Sequence, residues 1–501
     1  MKTIKLPNFK SKIHISDEKP SKALIILTAV VLFVYFVTTY YVDNPTIFLS
    51  AVWRNKGITQ YSLFYVFMTP ELPYGLLHQW ICQIWVLPIN IANTLFGVAI
   101  DGLGAFLWYK TFTVVCFLLV LKELDQLAKE CGIEQNKVQW MNLLFTTSLL
   151  VAMPVFHIAQ TDMLYIFFML IAVRAYLQKQ HWKFLLLFAI AIPMKYLPIF
   201  AFIPLVLMAE KRFFYIARDL FVGVSGVIIE KVVCFLADKY VKIETIKNNV
   251  ENSVGNIVAD TVQKVSETKT SAVEVKSSFV SHFINKTLYF EIPAVRKGMS
   301  ASILLILFFI LCIWCYLQYQ EDNDEWKRKC IYTIFTGLLI YFILGTPTPY
   351  WIVLLYPFLM LMIFMNSSCI RINLLLQLLF TGTMFYLYIV DTSWVYGGSV
   401  TFDYMLLNYL GITKELHVYD EGPNVLGYLT KFGLDQFVIY ATSLVIALVI
   451  GLLYINNTKV RCQEQINQKS ESYYMRNFSY FQIGILIIWY VVNLLLVANL
   501  I

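Results

Sequence analysis

The chain has 501 residues, 59% of them hydrophobic and 14% charged, with a mean hydropathy of +0.65. Soluble domains carry about 25% charged residues, so this composition excludes an ordinary water-soluble fold. The net charge of +7 asks for no nucleic-acid partner, because the cytoplasmic loops of membrane proteins collect Lys and Arg.

Apolar runs near the ~20-residue bilayer length recur along the chain. The predicted fold is all-α, a polytopic transmembrane bundle of about 13 spans. Residues 1–22 are polar and basic, and no small-residue cleavage site follows them. They read as a cytoplasmic tail before a signal anchor, with Lys2, Lys5, Lys10, Lys12, Lys19 and Lys22 holding that end inside. Span one covers residues 23–41, which leaves Asp43 on the outer side. An outer loop over residues 42–102 follows. It opens with an amphipathic stretch from Thr46 to Gly57, then an aromatic run through Tyr61 and Tyr65, then Pro70-Glu71-Leu72-Pro73-Tyr74. Residues 75–100 are apolar but interrupted by His78, Gln79, Gln83, Pro88, Asn90 and Asn93. They form either one crossing or a re-entrant or interfacial segment. The second reading puts the basic connections Lys179–Lys183, Glu210–Arg212, Trp326–Lys329, Arg371 and Lys459–Lys469 on the cytoplasmic side, as the positive-inside rule requires.

Further spans are expected near residues 103–121, 139–156, 163–179, 182–196, 197–209, 214–236, 299–319, 330–345, 350–365, 372–390, 435–456 and 478–500. Residues 182–209 must cross twice despite Pro193, Pro198 and Pro204; short broken helices are tolerated where protein satisfies the freed backbone. Residues 23–238 then form an N-terminal transmembrane module carrying the candidate chemistry, and residues 298–501 a C-terminal one. Between them lies an outer loop or small helical cap at 239–297, and a second outer loop covers 391–434.

Four features meet at the outer face. A carboxylate beside lipid is costly unless it has a partner or a task; Asp43 is a candidate general base on a hydroxyl, or simply the polar end of a helix. The turn from His157 to Asp162 offers Gln160 to sugar hydroxyls and Asp162 as an acceptor or second acid. Asp162 could equally be the N-cap of the next helix. Lys195, inside a proline-broken apolar stretch, needs an anionic partner. A lipid phosphate suits a compact ammonium, whereas snorkelling to the interface would be the structural alternative. Thr346-Pro347-Thr348-Pro349-Tyr350-Trp351 opens a span, and proline and interfacial aromatics are ordinary there. Arg54, Lys56, Arg296 and Lys297 are outer cations able to hold a phosphate, and His78 and His157 are possible bases or ligands. The nine cysteines show no paired metal spacing, and no nucleotide loop or HExxH is present.

Three pieces of the chain resemble the GT-C superfamily of integral-membrane glycosyltransferases, in particular bacterial families related to the second GPI mannosyltransferase. The first is Asp43 with Phe48, Trp53, Gly57, Pro70 and Pro73-Tyr74. The second is the turn Gln160-Thr161-Asp162, followed by a span, a basic patch and Lys195. The third is Pro349-Tyr350-Trp351 with Pro357. The likeness covers roughly residues 20–210 and 330–365, and departs from the family in Ala159, where glycine is usual, in Tyr196, and in the split prolines of the first loop. It implies a polyprenyl-phosphate-linked sugar as donor, a glycan, lipid or protein acceptor, and transfer on the extracytoplasmic face of a cell membrane. Asp43 and Asp162 would be the catalytic acids, and Gln160, Lys195, Arg54, His157 and Tyr350 would bind substrate. A divalent metal ion stays open as a cofactor, although no ligand cluster demands one. The competing expectation is a transporter or polymerase of lipid-linked oligosaccharide.

Overall fold

The computed structural model describes residues 19–39, 43–57, 74–240, 289–291, 300–319, 324–345, 348–391, 425–457 and 468–497. Ser21 opens α1 (Lys22–Thr38), its hydroxyl accepting from the Leu24 amide at 3.2 Å and satisfying one orphan donor of the first turn. The other end of α1 is closed from outside. Lys110, in α5 (Leu103–Glu130), donates to the carbonyls of Tyr35, Phe36 and Thr39. A cation is favourable at a helix carboxyl end, and this one accounts for a lysine inside an apolar span.

The first loop is built of helices. α2 (Asp43–Gly57) packs on α3 (Leu76–Trp85) and α4 (Leu87–Phe96). α3 and α4 have ten residues each and part at Val86, just before Pro88. Each is about 15 Å long, half the ~30 Å of a hydrocarbon core. No residue of α4 is buried, and Leu95 and Phe96 are among its exposed apolar side chains.

The expected span at 139–156 is a broken one. α6 (Gln135–Thr147) meets α7 (Leu149–Ala152) at Ser148, and with the wide turn Met153–His157 the pair bends by 66°. A buried polar network lies at the break. Thr147 donates to Gln482 at 2.7 Å, and Gln377 donates to Tyr356 at 3.0 Å. Beyond it, α8 (Met163–Leu177), α9 (His181–Met194) and α10 (Ile199–Ala209) run back and forth, followed by α11 (Phe213–Tyr240).

The second half holds α12 (Ile303–Leu317), α13 (Asp324–Leu344), α14 (Tyr356–Met365), α15 (Ile370–Asp391), α16 (Val425–Lys431), α17 (Val438–Asn456) and α18 (Gln468–Val497). Ahead of α12, β1 (Tyr289–Glu291) and β2 (Ser300–Ser302) pair antiparallel, with Phe290 opposite Ala301. This small ladder is an addition to the all-helical expectation. Among the described residues four helices are long and apolar enough to cross a membrane, within α5, around α15 and α17, and within α18. The bent pair would make a fifth, and six apolar helices are shorter. The chain is a multi-pass helical membrane protein.

Helices in lipid associate through close backbone approach more than through the hydrophobic effect. Gly337 of α13 shows this: a Cβ there would lie 2.3 Å from the Phe200 carbonyl oxygen of α10. The charges gather at one end of the bundle. Arg174 holds Glu123 through two bonds, Lys327 donates to the Glu130 carbonyl at 2.8 Å, Asp219 takes Arg218 and His181, and Glu210 takes Arg212. These are the basic connections of the sequence, and chain direction puts Asp162 and Lys195 at the opposite end. Tyr61, Tyr65, Pro70, Pro73, Arg296, Lys297, Thr346 and Pro347, together with most of the 239–297 and 391–434 loops, lie outside the described residues.

Candidate functional site

The turn after the wide helical end is made by Ala159, which takes φ 56°. The left-handed region costs an L-residue with a Cβ roughly 1–2 kcal/mol, and this gives the physical reason a glycine would suit the position. Two side chains hold the turn through the Ala159 carbonyl: Asn44 donates at 2.7 Å and Thr113 at 2.8 Å. The Gln160 amide donates back to Pro154 at 2.9 Å. Gln160, Thr161 and Asp162 are thereby carried into the protein, each at most 1% exposed.

Asp162 occupies the N-cap position of α8, yet its carboxylate makes no cap hydrogen bond. It faces Lys195, whose ammonium donates to both oxygens at 2.7 and 2.8 Å. Lys195 is the first residue past α9, where Pro193 ends the helix and the backbone turns extended. The anionic partner that the lysine requires is therefore supplied by the chain itself, before any lipid phosphate. Trp351 lies against the ammonium at 3.9 Å to its ring centroid, Tyr74 at 5.3 Å and Tyr165 at 5.7 Å; aromatic faces of this kind attract a cation.

Tyr74 ties the first loop to this pair. Its hydroxyl donates to Gln160 Oε1 at 3.3 Å, its carbonyl accepts from Gln79 Nε2 at 2.9 Å, and His78 stacks on its ring at 4.5 Å. Around the pair several buried polar atoms have no hydrogen-bond partner among the described residues: Gln79 Oε1, Thr161 Oγ1, the Tyr165 hydroxyl, Trp351 Nε1 and Asn44 Oδ1. Buried polar atoms are nearly always satisfied, so such a concentration suits a hydroxyl-rich guest. Burial pushes the Asp162 carboxyl above the ordinary aspartate range, against the opposing pull of Lys195. Burial, and then the Lys195 charge, push His78 down to about 3, so its imidazole is neutral at physiological pH.

The expected residues fall into two groups. Gln160, Asp162 and Lys195 are brought together, and Tyr350 is buried beside Trp351 in the turn Pro349–Leu354. Asp43 is the first residue of α2, with its side chain outside the described residues; the Asn44 bond places that helix start against the turn. His157 is not part of this cluster. Its carbonyl accepts from Thr39 at 3.5 Å, and its ring lies 6.4 Å from Tyr35. Arg54 is buried in the last turn of α2, eleven residues beyond Asp43 and so roughly 16 Å along the axis. The sequence assigned no role to Tyr165 or Asn44, and none to Tyr74 or Trp351 beyond their Pro-Tyr and Pro-Tyr-Trp elements. An aromatic beside a proline at a span start is what any membrane interface offers.

Chemically, the arrangement can bind an anion by sharing Lys195 with Asp162, orient hydroxyls, and exclude water. Among the described residues no three His, Cys, Asp or Glu side chains come together as a metal site, and both Asp162 oxygens are engaged by Lys195.

No protein-family model and no curated protein matches the chain. Solved structures similar to the chain include two of one protein. One is ArnT from Cupriavidus metallidurans bound to undecaprenyl phosphate, 12% identical, with 92% of this chain and 87% of that chain covered at a TM-score of 0.40. The other is the same protein in the apo state, 13% identical, with 91% and 84% covered at a TM-score of 0.38. The fold rests on the helices of this chain.

Proposed function

We propose that the protein is a membrane glycosyltransferase of GT-C type. It moves a hexose, mannose being the first to try, from a polyprenyl-phosphate donor to an acceptor hydroxyl. Transfer takes place on the extracytoplasmic face and inverts the anomeric centre. The observation that supports this reading is the buried Lys195–Asp162 pair, ringed by aromatic faces and by unsatisfied hydrogen-bonding atoms, with the start of α2 held beside it. An apolar bundle keeps such a pair only at a cost, and a sugar phosphate meets both of its needs, charge for the ammonium and hydroxyls for the orphan groups.

In this reading the acceptor hydroxyl loses its proton to Asp43 as its oxygen bonds the anomeric carbon. The carbon–oxygen bond to phosphate breaks on the opposite face, and the polyprenyl phosphate leaves with the electron pair, its charge shared between solvent and Lys195. Gln160, Thr161 and neutral His78 hold sugar hydroxyls. The test uses protein in nanodiscs with polyprenyl-phosphate sugars as donors. Asp43→Asn is expected to lower transfer by roughly 10²–10⁴-fold while the protein inserts normally. Undiminished product from that variant would end the assignment.

The second reading is a transporter or polymerase of lipid-linked oligosaccharide. A transporter would move an intact lipid-linked glycan across sealed vesicles without release of its carrier, whereas a polymerase would release the carrier only as it joins two lipid-linked glycans into a longer one. The present reading predicts release in detergent as readily as in vesicles.

A further inference from the structure

α11 carries an acid that neither composition nor motif singles out. Glu230 sits in an apolar helix, eighteenth of its 28 residues, where an ionisable group needs a reason. Two glycines deliver it. A Cβ at Gly223 would strike the Phe202 ring at 1.9 Å, and one at Gly226 would lie 1.9 Å from the Ala189 carbonyl oxygen and 2.9 Å from Pro193 Cγ. The bare face of α11 therefore lies directly on α9, and Glu230, one turn beyond Gly226, follows on the same face. Its carboxylate reaches Gly75, where an added Cβ would lie 2.6 Å from Glu230 Oε2 and 2.1 Å from the Pro193 carbonyl oxygen.

Gly75 is the residue before α3 and has no side chain to cap that helix. The Leu76 amide, first of α3, instead faces the Glu230 carboxylate. An anion there satisfies an orphan donor and meets the positive end of the helix. On either side of this anchor stand Tyr74, whose hydroxyl bonds Gln160 and whose ring faces Lys195, and His78, stacked on Tyr74.

We infer that Glu230 is a positioning residue of the site: from α11 it pins the start of α3 and so sets Tyr74 and His78 over the Lys195–Asp162 pair. The inference deepens the proposed function and rests on it only for the transfer measurement below. Hydrogen exchange in nanodiscs reads the anchor without any substrate. Glu230→Ala is expected to speed exchange of the amides at 76–79 roughly five- to tenfold, the scale of a lost helix cap, and to leave α8 and α13 unchanged. Glu230→Gln keeps an acceptor oxygen and should restore most of that protection. Where Ala does not give folded protein, Glu230→Met takes its place.

With donor and acceptor present, Glu230→Ala should lower kcat roughly tenfold to a hundredfold, with Gln again recovering most of it. Unchanged exchange at 76–79 in the Ala or Met variant overturns the inference. So does a Gln variant no better than Ala in both exchange and kcat. A wild-type protein that transfers no sugar, yet shows the exchange pattern, overturns the transferase reading and leaves the anchor standing.

Discussion

Lys195 and Asp162 bear most of the site's energetics. Removing one member of a buried pair leaves an uncompensated charge, at about 3–5 kcal/mol. Asp162→Asn or Lys195→Met alone should therefore lower the unfolding midpoint strongly, whereas the double variant should recover much of the loss. Thermal unfolding of the four proteins in one detergent decides it, and additive losses would show that the pair is not coupled. His78 gives a second residue-scale test. Its folded pKa of about 3 lies below the ordinary histidine value of 6.5, so only the unfolded chain binds that proton in between. Stability is thus lost as pH falls from about 6.5 toward 3, and His78→Asn should flatten that part of the profile. Much of this chemistry was legible beforehand. Gln160, Asp162 and Lys195 declared themselves as polar residues in apolar surroundings. That Lys195 finds its anion inside the chain was not legible, because 33 residues separate the partners and only the antiparallel return of α9 on α8 joins them.

At the scale of elements, the helices were readable from the length of their apolar runs, and the breaks between them less so. The bend at Ser148 interrupts a stretch that composition presents as one span, since the buried partners Gln482 and Gln377 come from distant helices. The close approaches were equally hidden, because glycine in a membrane helix is common and its partner cannot be read locally. Gly75 shows what one of them is worth. Gly75→Ala would drive a methyl into the Pro193 carbonyl oxygen, which is backbone and cannot swing aside. The variant should lose stability by about 1–3 kcal/mol and loosen α3. Limited proteolysis near residue 75, compared with Gly104→Ala, which meets nothing within 4 Å, separates this clash from a general effect of alanine.

For the whole molecule the decisive property is direction. The basic connections Lys179, Arg212, Lys327 and Arg371 lie at the end away from Asp162, which the positive-inside rule predicts to be the cytoplasmic end. Single cysteines at Lys179 and at Lys329 should react with a membrane-impermeant maleimide only after the cells are opened; labelling in intact cells would invert the orientation and move the site to the wrong leaflet. The brevity of the helices beneath the site has a consequence of its own. α8, α9 and α10 have 15, 14 and 11 residues, and so climb only about 17–22 Å of a hydrocarbon slab ~30 Å deep. In the proposed orientation, helices of this length that start at the cytosolic boundary would stop well short of the far one. Under the proposed function the ammonium and its carboxylate would then be sunk in a well, below the plane where water-borne molecules arrive, and a reactant tethered to a long greasy tail would have the shortest route in.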